Sequence, residues 1–342
     1  MDSSSPRTPS EHIFDVVVNF WTARAVYAFT VLGLADRMAD GPKRVTDLAA
    51  ATHTDPQALK RLLRALAGAG ICRTDAQGRY TTTEAGDMLR TDVPGSMAPY
   101  LHMEFSDAHH GAWGRIVDAV RTGRPVFEQV HGKTLWAYCE EDRVMADHLN
   151  RSMTGLTGMV ADAVLDAYDF SPYRKIVDVG GGEGGWLAAI LSASPEARGT
   201  VFDLPHVADA ARAWIGEAGL GERCDAVGGS FFETVPDGGD LYTMKWVLHD
   251  WDDASSVEIL RACRRAMTDD ARLLIVDTVI TETDGFSPGK VLDLNMMVLL
   301  GGRERTAAEF RELLSAAGFA LARVIPTRSM SDIVEAVPVT AA

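Results

Sequence analysis

One stretch of the sequence decides the fold: Val177-Asp178-Val179-Gly180-Gly181-Gly182-Glu183-Gly184-Gly185. A short apolar strand, Lys175–Val179, runs into five glycines within six residues, and a helix is predicted to follow over Trp186–Ala193. Glycines between a strand and a helix let a ligand approach the backbone at the start of the helix. The stretch therefore predicts a nucleotide-binding turn.

A carboxylate follows the next predicted strand, Thr200–Asp203. Asp203 lies 25 positions after Asp178 and can accept hydrogen bonds from two ribose hydroxyls. Glycines at 180, 182 and 185 also satisfy the GxGxxG pattern of dinucleotide sites, so the pattern alone leaves an NAD site open. Asp178, two residues before the first glycine, favours instead a nucleoside that carries an amino acid.

The second half of the chain alternates predicted strands and helices. Further strands are predicted over Asp240–Leu248 and Arg272–Val276, with a helix over Ala254–Met267 between them. This alternation predicts a parallel sheet covered on both faces. A capping box at Thr306–Glu309 opens a helix that stops at Gly318, and the runs Leu321–Pro326 and Asp332–Val337 can pair as an antiparallel hairpin.

The first half is predicted to be helical. The segment Ile13–Met38 is apolar around most of its circumference, which predicts burial at a subunit interface or in the centre of a domain. Two helices and a short hairpin then follow over residues 45–82, a winged-helix pattern that often binds DNA. Its outward helix offers just three cations, Lys60, Arg61 and Arg64. A scaffold or dimerisation use is therefore expected.

Composition narrows the class of protein. The chain has 342 residues with 33 Lys+Arg against 48 Asp+Glu, a formal net charge of −15, which argues against a nucleic-acid partner. Four cysteines lie far apart without a CxxC pair, so neither a disulfide framework nor a metal site is expected. The start of the chain lacks the apolar core of a signal peptide, and Asn19 and Arg24 interrupt its most apolar stretch. A cytoplasmic, soluble protein is expected.

Four motifs, in order and at matching spacing, carry a resemblance to a known family. They are Asp178-Val179-Gly180-Gly181-Gly182, Phe202-Asp203-Leu204-Pro205-His206-Val207, Lys245-Trp246-Val247-Leu248-His249-Asp250-Trp251 and Gly301-Gly302-Arg303-Glu304-Arg305-Thr306. From about residue 15 to its end, the chain resembles the S-adenosylmethionine-dependent O-methyltransferases of the plant caffeate and bacterial antibiotic-tailoring type. The resemblance implies an α/β fold with a Rossmann-like seven-stranded methyltransferase sheet, its last strand antiparallel. It also implies a homodimer, with a winged-helix-like dimerisation and lid domain over residues 1–165 and a catalytic domain over 166–342.

The resemblance assigns cofactor contacts position by position. Gly180 and Gly182 are placed against the methionine portion of S-adenosyl-L-methionine, Asp203 on the ribose, and Lys245 within reach of the cofactor carboxylate. Where the family has Gly-Asp-Phe/Met-Phe near the adenine, this chain has Gly229-Ser230-Phe231-Phe232. Ser230 can still form a hydrogen bond but lacks the carboxylate, and Phe231 is expected to pack on the adenine ring.

The predicted catalytic group is His249, which follows the strand Leu241–Leu248, with Asp277 at the end of the neighbouring strand. Carboxyl ends of parallel strands meet at one crevice, which brings both residues together. A phenol has a pKa of ~10, so it needs a base before it can attack, and histidine can accept that proton. We predict His249 as general base with Asp277 and Glu304 as its orienters; the family has Glu at position 277.

The resemblance also places Met153, Asn295, Met296 and Met297 in the acceptor pocket, although core packing is the alternative for one of the two adjacent methionines. We expect O-methylation of a hydroxyl on a small aromatic natural product. One alternative keeps the fold and cofactor but catalyses hydroxylation or a pericyclic rearrangement. Another is a winged-helix DNA-binding regulator, which the acidic charge and sparse basic face oppose.

Overall fold

The computed structural model describes residues 8–339. These residues form two compact units. One comprises the chain up to His110 together with Asp147–Gly155, and the other comprises Gly111–Ala146 and the chain from Leu156 onward. The predicted boundary between residues 165 and 166 stays a prediction.

The first unit is mainly helical. Its elements are α1 Pro9–Val31, α2 Leu34–Arg37, α3 Val45–Thr52, α4 Pro56–Gly68, β1 Cys72–Thr74, β2 Tyr80–Thr82, α5 Glu84–Asp87 and α6 Ala98–Glu104. Helix α4 begins after Asp55, whose side chain accepts a hydrogen bond from Ala58 N, and it buries Leu59, Leu63 and Leu66. The antiparallel pair β1–β2 follows it, so the predicted order of two helices and a hairpin is confirmed.

The prediction of one helix over Ile13–Met38 is wrong in its extent. Helix α1 ends at Val31 because Gly33 takes a left-handed conformation with φ of 58°, and the short α2 begins after it at Leu34. Only the end of α1 is buried by this chain: Phe29 is 0% exposed, whereas Phe14 and Trp21 are 61% and 57% exposed. The apolar helix therefore presents much of its surface to solvent within a single chain.

Two helices, α7 Asp107–Trp113 and α11 Arg143–Ala167, supply residues to both units. The second unit contains these further elements: α8 Ile116–Thr122, α9 Phe127–His131, α10 Leu135–Glu141, β3 Lys175–Val179, α12 Gly185–Ala193, β4 Arg198–Asp203, α13 Pro205–Glu217, β5 Cys224–Gly228, β6 Leu241–Lys245, α14 Asp253–Ala266, β7 Arg272–Asp277, β8 Val279–Ile280, α15 Pro288–Leu299, β9 Arg305–Thr306, α16 Ala307–Ala316, β10 Phe319–Ile325 and β11 Asp332–Pro338.

Within residues 8–339, seven strands form the main sheet in the order β10-β11-β7-β6-β3-β4-β5. Strands β5, β4, β3, β6 and β7 pair in parallel, and β11 pairs antiparallel with both β7 and β10. This confirms the predicted sheet with an antiparallel last strand. Strands β3, β6 and β7 are buried almost throughout because helices cover both faces. Their carboxyl ends bring Asp178, Lys245 and Asp277 to one edge of the sheet.

Two details of the sheet differ from the sequence prediction. Strand β5 was not predicted, and β6 ends at Lys245 rather than at Leu248. Trp246 turns the chain out of the sheet with φ of 57°, a conformation that bulky residues rarely adopt. His249 consequently lies on a short 3₁₀ turn, Leu248–Asp250, and not directly after the strand. Along residues 8–339, no helix combines the length and apolarity needed to cross a membrane.

Candidate active site

The glycine turn joins β3 to α12 and is held by the neighbouring strand β4. The Gly180 N–H donates to Phe202 O at 2.8 Å, and the Gly182 N–H donates to the Asp203 carboxylate at 2.9 Å. Gly180 and Gly182 have φ of 71° and 57°, which side chains other than glycine rarely allow. A Cβ at Gly180 would lie 2.7 Å from the Val247 side chain. Backbone conformation thus favours glycine at both positions, and packing also requires it at Gly180.

Asp178 lies beneath the turn and is 1% exposed. Both of its carboxylate oxygens are buried and, within the described residues, accept no hydrogen bond. Burial raises the pKa of Asp178 to about 7, with the Lys245 charge acting in the opposite direction. A Cβ at Gly181 would lie 2.7 Å from one of these oxygens, so the carboxylate and the turn fit closely together.

The glycine turn borders open space on one side. A Cβ at Gly182 or at Gly185 would meet no atom within 4 Å, so these glycines border open space. Asp203 at the edge of that space accepts hydrogen bonds from Gly182 N and Leu204 N, while burial raises the pKa of its carboxyl. A carboxylate that has no hydrogen-bond partner within the described residues, here Asp178, and accessible glycine backbone suit a nucleoside that carries an amino acid. The residues therefore fit the predicted cofactor.

The remaining predicted cofactor residues lie in the same unit. Lys245 ends β6, and its Nζ lies 3.9 Å from the centre of the Trp246 ring. Burial lowers the pKa of Lys245 to about 8, against the attraction of Asp178 and Asp277. Phe231 packs against the sheet core with its ring 6.0 Å from that of Trp251, while the hydroxyl of the half-buried Ser230 lies 3.4 Å from Phe232 N.

His249 and Glu304 form the central pair of a second group of ionisable residues. We call this group, which also contains Asp250 and Asp277, the His249 cluster. His249 Nδ1 lies 2.8 Å from Glu304 Oε1, and Glu304 is 1% exposed. On the other side of the ring, His249 Nε2 lies 3.4 Å from Asp250 Oδ1. Asp277 is fully buried, and neither of its carboxylate oxygens has a hydrogen bond within the described residues. Glu304 therefore holds the imidazole directly, whereas Asp277 acts on it through space.

The His249 cluster contains three carboxyl groups and one imidazole, so its negative groups outnumber its positive one. Burial lowers the pKa of His249, but Glu304, Asp250 and Asp277 outweigh it and raise that pKa to about 10. Burial also raises the pKa of Asp250 to about 6 and that of Asp277 to about 7, with His249 opposing both shifts. The three carboxyls thus favour a proton on the imidazole.

Arg305 fixes the turn that carries His249, a role that the sequence analysis missed. Its buried guanidinium donates to the backbone oxygens of Leu248 and Trp251, both at 2.9 Å, and pairs with Asp253 at 2.9 Å. Gly302 approaches even closer, because a Cβ there would lie 2.0 Å from His249 O. Both residues belong to the motif Gly301–Thr306 that precedes α16. The signal available in the sequence was the charged Arg305 within this motif.

The predicted acceptor residues are divided between the two units. Met153 is half-buried in the first unit, whereas Asn295 and Met296 lie on α15 in the second. Met296 is 7% exposed. Asp293, also on α15, accepts a hydrogen bond from Glu304 N at 2.8 Å and so ties the helix to the His249 cluster.

A Rossmann-like sheet with an antiparallel last strand, a glycine turn and a buried histidine–carboxylate cluster define a class I methyltransferase. Family models sharpen this class: an O-methyltransferase domain matches residues 113–320, and an O-methyltransferase dimerisation domain matches residues 14–92. The chain belongs to the S-adenosylmethionine-dependent O-methyltransferase family. Its cofactor is S-adenosylmethionine.

Individual relatives agree over nearly the whole chain. The chain is 45% identical to the phenazine O-methyltransferase PhzM of Lysobacter antibioticus, covering 96% of each protein. It is also 36% identical to aclacinomycin 10-hydroxylase RdmB of Streptomyces purpurascens, covering 94% of this chain and 89% of that one.

Two solved structures are also similar to this chain over nearly its whole length. The crystal structure of LaPhzM has a TM-score of 0.92 at 44% identity and covers 97% of this chain and 100% of its own. The O-methyltransferase NcsB1 from neocarzinostatin biosynthesis, solved with S-adenosylmethionine and 2-hydroxy-5-methyl naphthoic acid, has a TM-score of 0.79 at 34% identity, covering 93% and 96%.

Proposed function

We propose that this enzyme methylates a phenolic hydroxyl, one carried on an aromatic ring, of a small natural product. The observation that carries the proposal is the buried 2.8 Å contact between His249 Nδ1 and Glu304 Oε1. A carboxylate on one ring nitrogen fixes the tautomer and leaves the other nitrogen to accept a proton. Relatives named for phenazine and naphthoic acid chemistry support a flat aromatic acceptor.

In this proposal the cofactor binds at the glycine turn between β3 and α12. Gly180 and Gly182 contact its methionine portion, Asp203 its ribose and Lys245 its carboxylate, with Ser230 and Phe231 beside the adenine. S-adenosylmethionine supplies an electrophilic methyl group on a sulfonium. The chain must then hold the acceptor oxygen in line with that methyl group, because placement supplies much of the acceleration in such a transfer.

His249 accepts the proton of the acceptor hydroxyl in the proposed mechanism. A phenol and this histidine both have pKa values near ~10, so the proton transfer between them is close to balanced. Glu304 stabilises the resulting imidazolium through Nδ1, and Asp250 and Asp277 add negative charge around it. We assign Asp277 an electrostatic role, because its carboxylate makes no hydrogen bond to His249 within the described residues.

Hydroxylation by the same fold is the second candidate, and the relative named as a hydroxylase is the observation that favours it. Methyl transfer to a hydroxyl needs a base, and the chain keeps His249 with a carboxylate partner. Mass spectrometry of candidate phenols incubated with methyl-labelled cofactor distinguishes the two. A labelled methyl ether supports our proposal, whereas gain of oxygen without the label would refute it.

We also propose that the enzyme acts as a homodimer through α1. The dimerisation-domain match covers this helix from residue 14 onward, and Ile13, Phe14, Phe20 and Trp21 are each at least 50% exposed in the single chain. Apolar surface of this extent marks a protein interface. Light scattering at micromolar concentration should give twice the 37.0 kDa mass of the chain. A monomer would contradict the assignment.

A further inference from the structure

Two buried carboxylates attract the Lys245 ammonium, yet it pairs with neither. Lys245 is half-buried at the carboxyl end of β6, where Asp178 and Asp277 both act on its charge. Within residues 8–339 neither carboxylate accepts a hydrogen bond. Lys245 Nζ lies instead over the indole of Trp246, 3.9 Å from the ring centre. A ring face attracts a cation without using its N–H donors, so the ammonium keeps its donors for an incoming anion.

Trp246 itself is fixed by two hydrogen bonds. Its backbone N–H donates to Val276 O at 3.1 Å, and its indole Nε1 donates to Ser331 Oγ at 2.8 Å. Ser331 is 0% exposed and directly precedes β11. With φ of 57°, Trp246 has a strained backbone conformation, which persists only where its surroundings enforce it. The Ser331 hydroxyl therefore helps to set the position of the residue that follows Lys245.

The residues around Lys245 lie against the glycine turn. Val247 packs so closely on Gly180 that a Cβ there would lie 2.7 Å from the Val247 side chain. Strand β6 also runs beside β3, and Asp178 at the end of β3 both approaches Gly181 and attracts Lys245. Hydrogen bonds between two charged groups are stronger than those between neutral ones. An ammonium beside the turn, with no ion pair within the described residues, thus suits the carboxylate of an amino acid.

We propose that Trp246 and Ser331 are positioning residues that hold the Lys245 ammonium off the two buried carboxylates and ready for the carboxylate of the cofactor. The indole face supports the ammonium, and the Ser331 hydroxyl fixes the indole. Neither residue needs to touch the cofactor. The inference rests on the cofactor site of the proposed function and adds the residues that prepare its lysine.

The test compares two ligands that differ by one carboxylate. S-adenosylhomocysteine carries this group, whereas decarboxylated S-adenosylhomocysteine keeps the thioether and the amine but lacks it. Calorimetry with the full-length enzyme measures both dissociation constants, and their ratio gives the preference for the carboxylate. We expect the parent enzyme to bind S-adenosylhomocysteine about 10- to 100-fold more tightly. Equal binding of the two ligands, or no binding of S-adenosylhomocysteine, would overturn the inference.

Variants assign the preference to individual groups. Lys245→Met should abolish it, and Ser331→Ala should reduce it by about 3- to 10-fold. Trp246→Phe keeps a ring face but loses the same hydrogen bond, so it should match Ser331→Ala, whereas Trp246→Leu should reduce the preference further. In the Lys245→Met background Ser331→Ala should have no additional effect, as a double-mutant cycle requires for coupled residues. An unchanged preference in Trp246→Leu refutes the role of the indole, and one in Ser331→Ala refutes that of the hydroxyl.

Thr243→Val is the matched control for a general loss of stability. Thr243 Oγ1 accepts a hydrogen bond from the buried indole of Trp186 at 3.0 Å, and Thr243 lies on the same strand as Lys245. Its replacement removes a comparable bond, so it should lower the thermal unfolding temperature about as much as Ser331→Ala does. The preference for the carboxylate should stay at the parent value. An equal loss of preference in both variants would show that Ser331 acts on the fold and not on Lys245.

Lys245→Met separates failure of this inference from failure of the proposed function. If Lys245→Met keeps the parent preference, the assignment of Lys245 to the cofactor carboxylate is wrong, and the inference falls with it. If Lys245→Met loses the preference while Ser331→Ala and Trp246→Leu keep it, that assignment stands and the inference alone is overturned. The binding measurements need no methyl transfer, so they are independent of the labelled-methyl experiment.

Discussion

The glycine turn and the His249 cluster lie at the same edge of one sheet but are built differently. The turn is a continuous segment, 180–185, whose contacts are mainly backbone hydrogen bonds and close approaches that exclude side chains. The cluster draws His249, Asp277 and Glu304 from three separate segments and holds them by buried charge. Shape therefore governs the first region, and electrostatics governs the second.

This difference predicts how each region responds to substitution. Changes in the turn should alter cofactor affinity or stability with little effect on proton transfer. Changes in the cluster should alter turnover and its pH dependence with little effect on cofactor affinity. A variant that moved both properties together would show that the two regions act as one.

The largest effect is expected for His249→Ala. Loss of the proposed base should lower kcat by about 10²- to 10⁴-fold while the cofactor dissociation constant stays nearly unchanged. Steady-state kinetics and calorimetry measure the two quantities. His53→Asn is the matched control, because His53 is exposed and has φ of 53°, which asparagine tolerates. Unchanged turnover in His249→Ala would remove the base assignment.

Asp203→Ala tests the prediction that changes beside the glycine turn alter cofactor affinity. Its carboxylate accepts the Gly182 N–H and is proposed to bind the ribose, so its removal should weaken cofactor binding by about 10- to 100-fold. Calorimetry with S-adenosylmethionine measures the loss. Asp209→Ala removes an exposed carboxylate of the next helix and should leave affinity unchanged. Equal affinity in Asp203→Ala would place the ribose elsewhere.

Sequence patterns predicted the glycine turn better than the cluster, for a physical reason. Glycine spacing, strand pattern and the following Asp203 are local signals, and the structure brings them together as expected. The 3₁₀ turn under His249 depends on the left-handed Trp246 and on Arg305, which is 57 positions distant from Leu248. No local pattern reveals that contact. The unpaired state of Asp277 likewise depends on packing from several elements.

Steric fit in the turn can be tested with two glycines that lie four residues apart. Gly181→Ala should destabilise the fold by about 1 to 3 kcal/mol, because its Cβ would lie 2.7 Å from Asp178 and 3.0 Å from Val201. Gly185→Ala, at the first residue of α12, meets no atom within 4 Å and should be neutral or slightly stabilising. Urea unfolding of the cofactor-free enzyme measures both. Equal stability of the two variants would show that the turn yields to the added methyl group.

The smallest effect, a shift in pH dependence, tests whether charge governs the cluster. The pKa of His249 is raised to about 10, and the ring can accept a proton only in its neutral form, so kcat/KM for a given acceptor should rise with pH toward that value. Glu304→Gln removes a negative charge that favours the imidazolium. The His249 pKa should then fall, and the rising limb should move to lower pH by about one unit, even though the maximum rate drops. The same acceptor is used for both enzymes, so its own ionisation contributes equally to the two profiles. An unmoved limb would mean that Glu304 positions the ring without setting its charge. The two regions would then differ only in being built from one continuous segment or from several separate ones.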